Sequence, residues 1–341
     1  MTILALFAGH NTVRGIDSQR GLIETNDQID TNGEVLLRNR FKFDATTGAT
    51  FDLPNIELGV PLNTTSTWFK TQLTSCASSS GGASMVLRAE DSTEIFKLHN
   101  YNWGGPYCSW DLVFFGTVLH SKIIDRQAVS RSWDFEISID DQYLATIHRY
   151  DSTILTQTYT LQLTQEQAEL IPHNVTLTSH DTGSQITYIR EIIVSQTEPT
   201  LPLKVKLVEL GSNGTHQDFG GDVTDINSID APNSLSISTS VAGSKATYNT
   251  VALSELAKDY RVKAVVVGTL ASAGVGSLNQ LQHIISDGVS TLNLGQVDNI
   301  QDNHGYIPSI AIARTNPLTG VEFTMDDVDT LEFGFEVSDE V

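Results

Sequence analysis

The chain has 341 residues, formal net charge −21, and is 40% hydrophobic. That length exceeds one ordinary core and suits two domains, and the apolar fraction excludes disorder as the default. Lys+Arg and Asp+Glu number 13 and 23 up to residue 200, then 7 and 18, so both halves are acidic. No basic face exists to meet nucleic acid or an anionic membrane.

In chain order, the apolar run Ile3–Ala8 has no basic residues before it and ends at Gly9-His10-Asn11. It reads as a first strand rather than a signal segment. No stretch approaches the roughly 18–20 apolar residues that span a bilayer. Period-two segments then dominate: Thr67–Leu73, Met85–Arg88, Glu94–His99, Trp133–Ile139, Tyr143–Ile147, Ile154–Leu163, Val175–Thr178 and Ile186–Val194. Leu112–Ile124 reads as a long apolar strand pair, and Asp140-Asp141-Gln142 as a hairpin turn. Short strands at this spacing predict an all-β sandwich or barrel.

Ser195–Glu198, Pro199 and Pro202 mark a boundary. The domains are therefore expected at 1–198 and 203–341. After Lys204–Val208, a stretch rich in Gly, Asp and Asn runs to Asn233 and reads as one long loop. A second strand series follows at Leu235–Val241, Lys245–Val251, Tyr260–Leu270, Leu281–Ile285, Ile307–Ala313 and Leu331–Val337. Ser254–Ala257 and Thr324–Val328 read as helical turns, with Thr324 the N-cap and Asp327 three residues on.

These segments carry a resemblance. Ile3–Phe7, Leu36–Phe51, Trp68-Phe69-Lys70-Thr71, the hairpin Trp133–Ile147 and the closing strand Ile186–Val194 resemble, in that order, a concanavalin A-like (laminin-G-like) domain of tailed-phage virion proteins. In the second half, Asp218–Asn227, Val262–Val267 and Asn316–Val337 resemble the β-sandwich domain that follows it in phage genomes. The resemblance implies two β-sandwich, jelly-roll-like domains, the first concanavalin A-like. It implies a structural virion protein of the tail, baseplate, fibre or collar, with head decoration as another place in the particle. Its partners would be other virion subunits and further copies of itself in a homo-oligomer. No catalytic residues come with it.

The residues themselves offer three sites. His99, Tyr101, Asn102, Trp103, Tyr107 and Trp110 form the densest aromatic cluster, read as a loop that contacts a glycan or a virion partner. A lectin-like module binding cell-surface glycans is therefore the alternative function. Asp218, Asp222 and Asp225 have the oxygen ligands Ca²⁺ takes, without EF-hand spacing; no other cofactor is called for. The enzymatic rival is Glu136, which shares a strand face with Ser138 and Asp140, the outer two Cα atoms about 13 Å apart. Two Glu side chains could lean together to the about 5–5.5 Å a retaining glycosidase needs, but Asp140 is shorter and the middle position is Ser138, so the expectation is a non-enzyme. Cys76 and Cys108 lack CxxC spacing and fit either one disulfide or two free thiols.

Overall fold

A computed structural model describes residues 2–8, 21–29, 35–44, 50–53, 59–76, 82–104, 107–125, 130–151, 153–180, 186–201, 203, 205–206, 208–226, 237–253, 261–273, 278–300 and 307–339. The chain divides into two compact units, Met1–Gln28 with Val35–Val205, and Lys206–Val341 with Ile29–Glu34. No helix among the described residues is long and apolar enough to cross a membrane.

The strands of the first unit are β1 (Thr2–Ala8), β2 (Gly21–Ile29), β3 (Val35–Asp44), β4 (Thr50–Asp52), β5 (Thr67–Cys76), β6 (Gly82–Ala89) and β7 (Glu94–Gly104). They continue with β8 (Tyr107–Phe114), β9 (Thr117–Asp125), β10 (Ser130–Ile139), β11 (Leu144–Asp151), β12 (Ile154–Gln162), β13 (Pro172–His180) and β14 (Ile186–Gln196). One antiparallel sheet runs β12-β11-β10-β5-β14-β3-β2, with β1 also on β14. The other runs β4-β13-β6-β7-β8-β9. Period-two patterning puts one face of each sheet into a shared core. Phe69 and Phe135 of the first sheet meet Phe96 of the second, with ring centroids 5.0 and 5.2 Å apart. All three are at most 1% exposed, and each contributes roughly 1.5–3 kcal/mol of burial. This is the expected β-sandwich of two antiparallel sheets.

Local chemistry sets the turns. Phe115 and Gly116, both at positive φ (45° and 74°), close the β8–β9 hairpin in two residues. Asp140 caps the β10–β11 turn, its Oδ1 accepting from the backbone N–H groups of Gln142 and Leu144. A short α1 (Gln165–Ala168), absent from the sequence reading, starts at a Thr164–Gln167 capping box.

The second unit is also built from sheets: β15 (Leu210–Gln217), β16 (Lys245–Thr250), β17 (Val265–Ala271), β18 (Leu278–Ser286), β19 (Thr291–Asn299), β20 (Ile307–Ala313) and β21 (Glu332–Asp339). The order is β15-β16-β21-β18-β19 in one sheet and β17-β20 in the other. Ile285, Leu294 and Phe333 pack with Ala311 and Ala313 between them. Gly334 allows β16 and β21 to approach, since a Cβ there would lie 1.9 Å from the Ala246 carbonyl oxygen. Thr324 and Asp327 form the anticipated capping box, which opens α3 (Met325–Thr330).

Several expectations need correction. The supposed loop from 209 to 233 holds β15 and the short α2 (Val223–Ile226). Its polar composition hid a strand whose support comes from β16 and from a buried carboxylate, Glu332. Ser238 makes only an isolated bridge to Gly220, so the strand expected at Leu235–Val241 is absent where described. Strands β2 and β19 were not foreseen, both being rich in Asn, Gln and Gly. Ser254–Ala257 and the Cys76 and Cys108 side chains lie outside the described residues.

Candidate functional site

The outward face of the first sheet collects polar and aromatic side chains around β10. Antiparallel register sets Glu136 between Trp68 of β5 and His148 of β11, and places Asp134 between Lys70 and Tyr150. Glu136 accepts from the Ser66 hydroxyl at 3.3 Å through Oε1 and from the Tyr150 hydroxyl at 3.1 Å through Oε2. The Tyr150 ring stacks on Trp68, centroids 5.9 Å apart, and meets His148 edge-on at 6.3 Å. Trp68 is 6% exposed and acts as a floor, whereas Tyr150, His148 and Glu136 are half-buried and reach solvent. Burial raises the Tyr150 pKa, and the Glu136 charge and hydrogen bond raise it further, so the phenol stays protonated and donates. His148 Nδ1 is 2.9 Å from the Thr158 hydroxyl, which orients the ring.

Two other described carboxylates of this face are otherwise engaged. Asp134, 2% exposed, accepts from the Thr200 hydroxyl at 3.0 Å, and Lys70 Nζ donates to the Leu203 carbonyl. The segment after β14 thus seals that end of the face. Asp140 belongs to its turn. What stays open among the described residues is one carboxylate beside an aromatic step, a surface whose acceptors suit hydroxyls and whose rings suit C–H faces. Sequence reasoning singled out Glu136 but missed Ser66, Trp68, His148 and Tyr150 as its neighbours. Only cross-strand register brings them together.

The aromatic cluster around residue 100 is not a loop. β7 and β8 form a hairpin through it, pairing Asn100 with Trp110, Tyr101 with Ser109, Asn102 with Cys108 and Gly104 with Tyr107. The side chains of Tyr101, Asn102, Trp103 and Tyr107 lie outside the described residues. Trp110 is a correction. At 4% exposed it packs edge-on against Trp133, centroids 4.8 Å apart, inside the core. The alternation that makes β8 half-buried turns it inward, away from any ligand. His99 stands on the opposite face of the second sheet, its Nδ1 2.7 Å from the Ser84 hydroxyl.

The three aspartates named for Ca²⁺ are drawn to separate backbone groups. Asp218 accepts from the Lys245 N–H, Asp225 from the Asp222 N–H, and Asp222 from the N–H and hydroxyl of Thr224. The Thr224 hydroxyl and amide hold the Asp222 carboxyl below its ordinary pKa. Among the described residues no three acidic, His or Cys side chains gather at one point. Asp222 and Asp225 cap the start of α2, consistent with the preference of Asp for such positions, while Asp218 holds the first residue of β16.

No protein-family model matches the chain, and no curated protein matches it. Solved structures do show likenesses. The chain is similar to the CBM2 module of the evolved Dit of Lactobacillus casei BL23 phage J-1, at 8% identity and TM-score 0.35, covering 58% of this chain and 96% of that one. It is similar to a legume lectin-like domain from Entamoeba histolytica, at 7% identity and TM-score 0.32, covering 53% and 91%. Bacillus licheniformis β-glucanase is a third, at 8% identity and TM-score 0.31, covering 54% and 96%. None of these likenesses assigns a function.

Proposed function

We propose that the chain is a non-enzymatic structural protein of a tailed-phage particle whose first sandwich presents a lectin-like contact for glycans on the Glu136–Tyr150 face. The particle role is supported by the ordered resemblance in both halves and by an acidic surface that repels nucleic acid. The glycan contact rests on one observation. Glu136 is held by two hydroxyl donors beside the Trp68–Tyr150 stack, while the neighbouring Asp134 and Asp140 are occupied by Thr200 and by a turn. A glycosidase needs one carboxyl to protonate the leaving group and another to attack or to activate water. Among the described residues Glu136 has no free carboxylate partner for that work, which supports binding without turnover.

The test is a glycan array with the full-length chain, repeated with Glu136→Gln and Tyr150→Ala. Binding should fall at least about tenfold in both variants, and wild-type protein should release no reducing ends from the bound glycan. Tyr101→Ala and Trp103→Ala in the same array examine the β7–β8 hairpin as an alternative contact. Wild-type release of reducing sugar that Glu136→Gln abolishes would make the protein an enzyme. A blank wild-type array would remove the glycan contact and leave the particle role alone.

A further inference from the structure

We propose that the free edge of β12 pairs antiparallel with β12 of a second copy of this chain, joining two first-unit sheets into one. This inference is independent of the glycan reading. β12 ends its sheet, bonded to β11 on one side only among the described residues. Its sequence, Ile-Leu-Thr-Gln-Thr-Tyr-Thr-Leu-Gln, has no ionisable acid or base other than the tyrosine, and no proline or glycine. Tyr159 is buried and Leu161 half-buried, and the other residues are exposed, with Ile154 at 69% and Leu155 at 50%.

An exposed strand edge offers unpaired N–H and C=O groups as a template for another strand, and proteins ordinarily guard such edges with charge, brevity, proline or bulges. Most other edges among the described residues carry those guards. β2 has Glu24 and Asp27, β4 is three residues with Asp52, and β9 has His120, Lys122 and Asp125. β15 and β19 meet their partners through wider register breaks, and β19 carries Asp298. β20 contains Pro308, and β17 is half-buried over most of its length. β12 is broken once, at Thr156, and runs regularly over Gln157–Gln162 against Leu144–Arg149.

Charge identifies the occupant. Two copies of a chain at −21 repel wherever acidic surfaces meet. An uncharged strand is a place where two such copies can touch without that cost. An antiparallel pair of identical strands is self-complementary about a two-fold axis, which closes the assembly at a dimer and prevents a fibre. Main-chain hydrogen bonds supply the affinity, as in strand addition generally. Because one strand pair buries less than the roughly 1,200–2,000 Å² of a standard stable interface, dissociation in the micromolar range is expected.

Sedimentation velocity on the full chain from about 1 to 100 µM, a range that brackets such a constant, tests the pairing. Wild type should shift from monomer to dimer. Thr160→Lys and Ile154→Lys, both at exposed positions, should each raise the dissociation constant at least about tenfold by giving the paired edge the charge that guards other strand edges. Hydrogen exchange of the 154–162 peptide provides a readout that needs no variant: its amides should slow as protein concentration rises, while the β9 peptide stays constant. A wild-type monomer throughout, a dimer unmoved by both lysines, or β12 exchange independent of concentration would each overturn the proposal.

Discussion

Removing the Glu332 carboxylate should destabilise the second unit by an amount the local geometry sets. β15 bulges between Asn213 and Gln217, four residues apart opposite only two of β16, and the bulge reaches over β16 toward β21. There the Glu332 Oε2, on a residue only 6% exposed, accepts from the Thr215 N–H at 2.9 Å, the Thr215 hydroxyl at 2.8 Å and the Thr247 hydroxyl at 2.6 Å. Gly214 lets the bulge come this close, because a Cβ there would stand 2.6 Å from that same oxygen. Burial alone would raise the Glu332 pKa; the Thr247 and Thr215 hydrogen bonds and the His216 charge outweigh it and leave it lowered. Glu332→Ala strands three donors, at roughly 1–3 kcal/mol per unsatisfied group with partial rescue by water, so a loss of about 3 kcal/mol is expected. Glu332→Gln keeps one neutral acceptor and should lose about 1.5 kcal/mol at pH 7. Since the folded pKa is depressed, the advantage of Glu over Gln is fully present above the unfolded carboxylate value. It should vanish as pH falls through the folded one. All four tryptophans lie between residues 68 and 133, so their fluorescence is silent here. Hydrogen exchange of β16 and β21 amides in urea is the suitable assay. A loss under about 1 kcal/mol for Glu332→Ala, or a Glu-minus-Gln difference that ignores pH, would refute the argument.

Trp110→Ala should cost the first unit about 3–5 kcal/mol as a core cavity, measured by urea denaturation followed through the remaining tryptophans. A stable variant with altered glycan binding would return Trp110 to the surface. His283 is fully buried, with Nε2 3.1 Å from the Thr269 hydroxyl and Nδ1 3.4 Å from the Ser309 hydroxyl, which itself donates to Asp298. Burial pushes its pKa down to about 4, against an opposing pull from Asp298. Below the ordinary histidine value of about 6.5 the unfolded chain takes up a proton that the folded one refuses. The second unit should therefore lose about 3 kcal/mol between pH 6.5 and 4. A His283→Gln variant with the same acid sensitivity in that window would count against this.

Much of the strand set was legible because alternation needs only the chain itself. Trp133–Ile139 reads as β10 since Trp133, Phe135 and Ile137 recur every second residue, and all three are buried. The Thr324–Asp327 capping box was legible for the same local reason: its partners are three residues apart. β15 was not, because Gly-Ser-Asn-Gly-Thr-His-Gln has no apolar face and is held by Glu332, 117 residues from Thr215.

By itself the sequence determined an acidic, all-β chain with period-two strands and locally capped turns, since composition, alternation and caps are properties of neighbouring residues. Tertiary structure alone decided which side chains meet. Cross-strand register sets Glu136 beside Trp68 and near Tyr150, while the alternation of β8 turns Trp110 from a candidate contact into core. A site on a sheet is assembled across strands, and the pairing that assembles it is a long-range choice that the hydrophobic core makes for the whole sandwich at once.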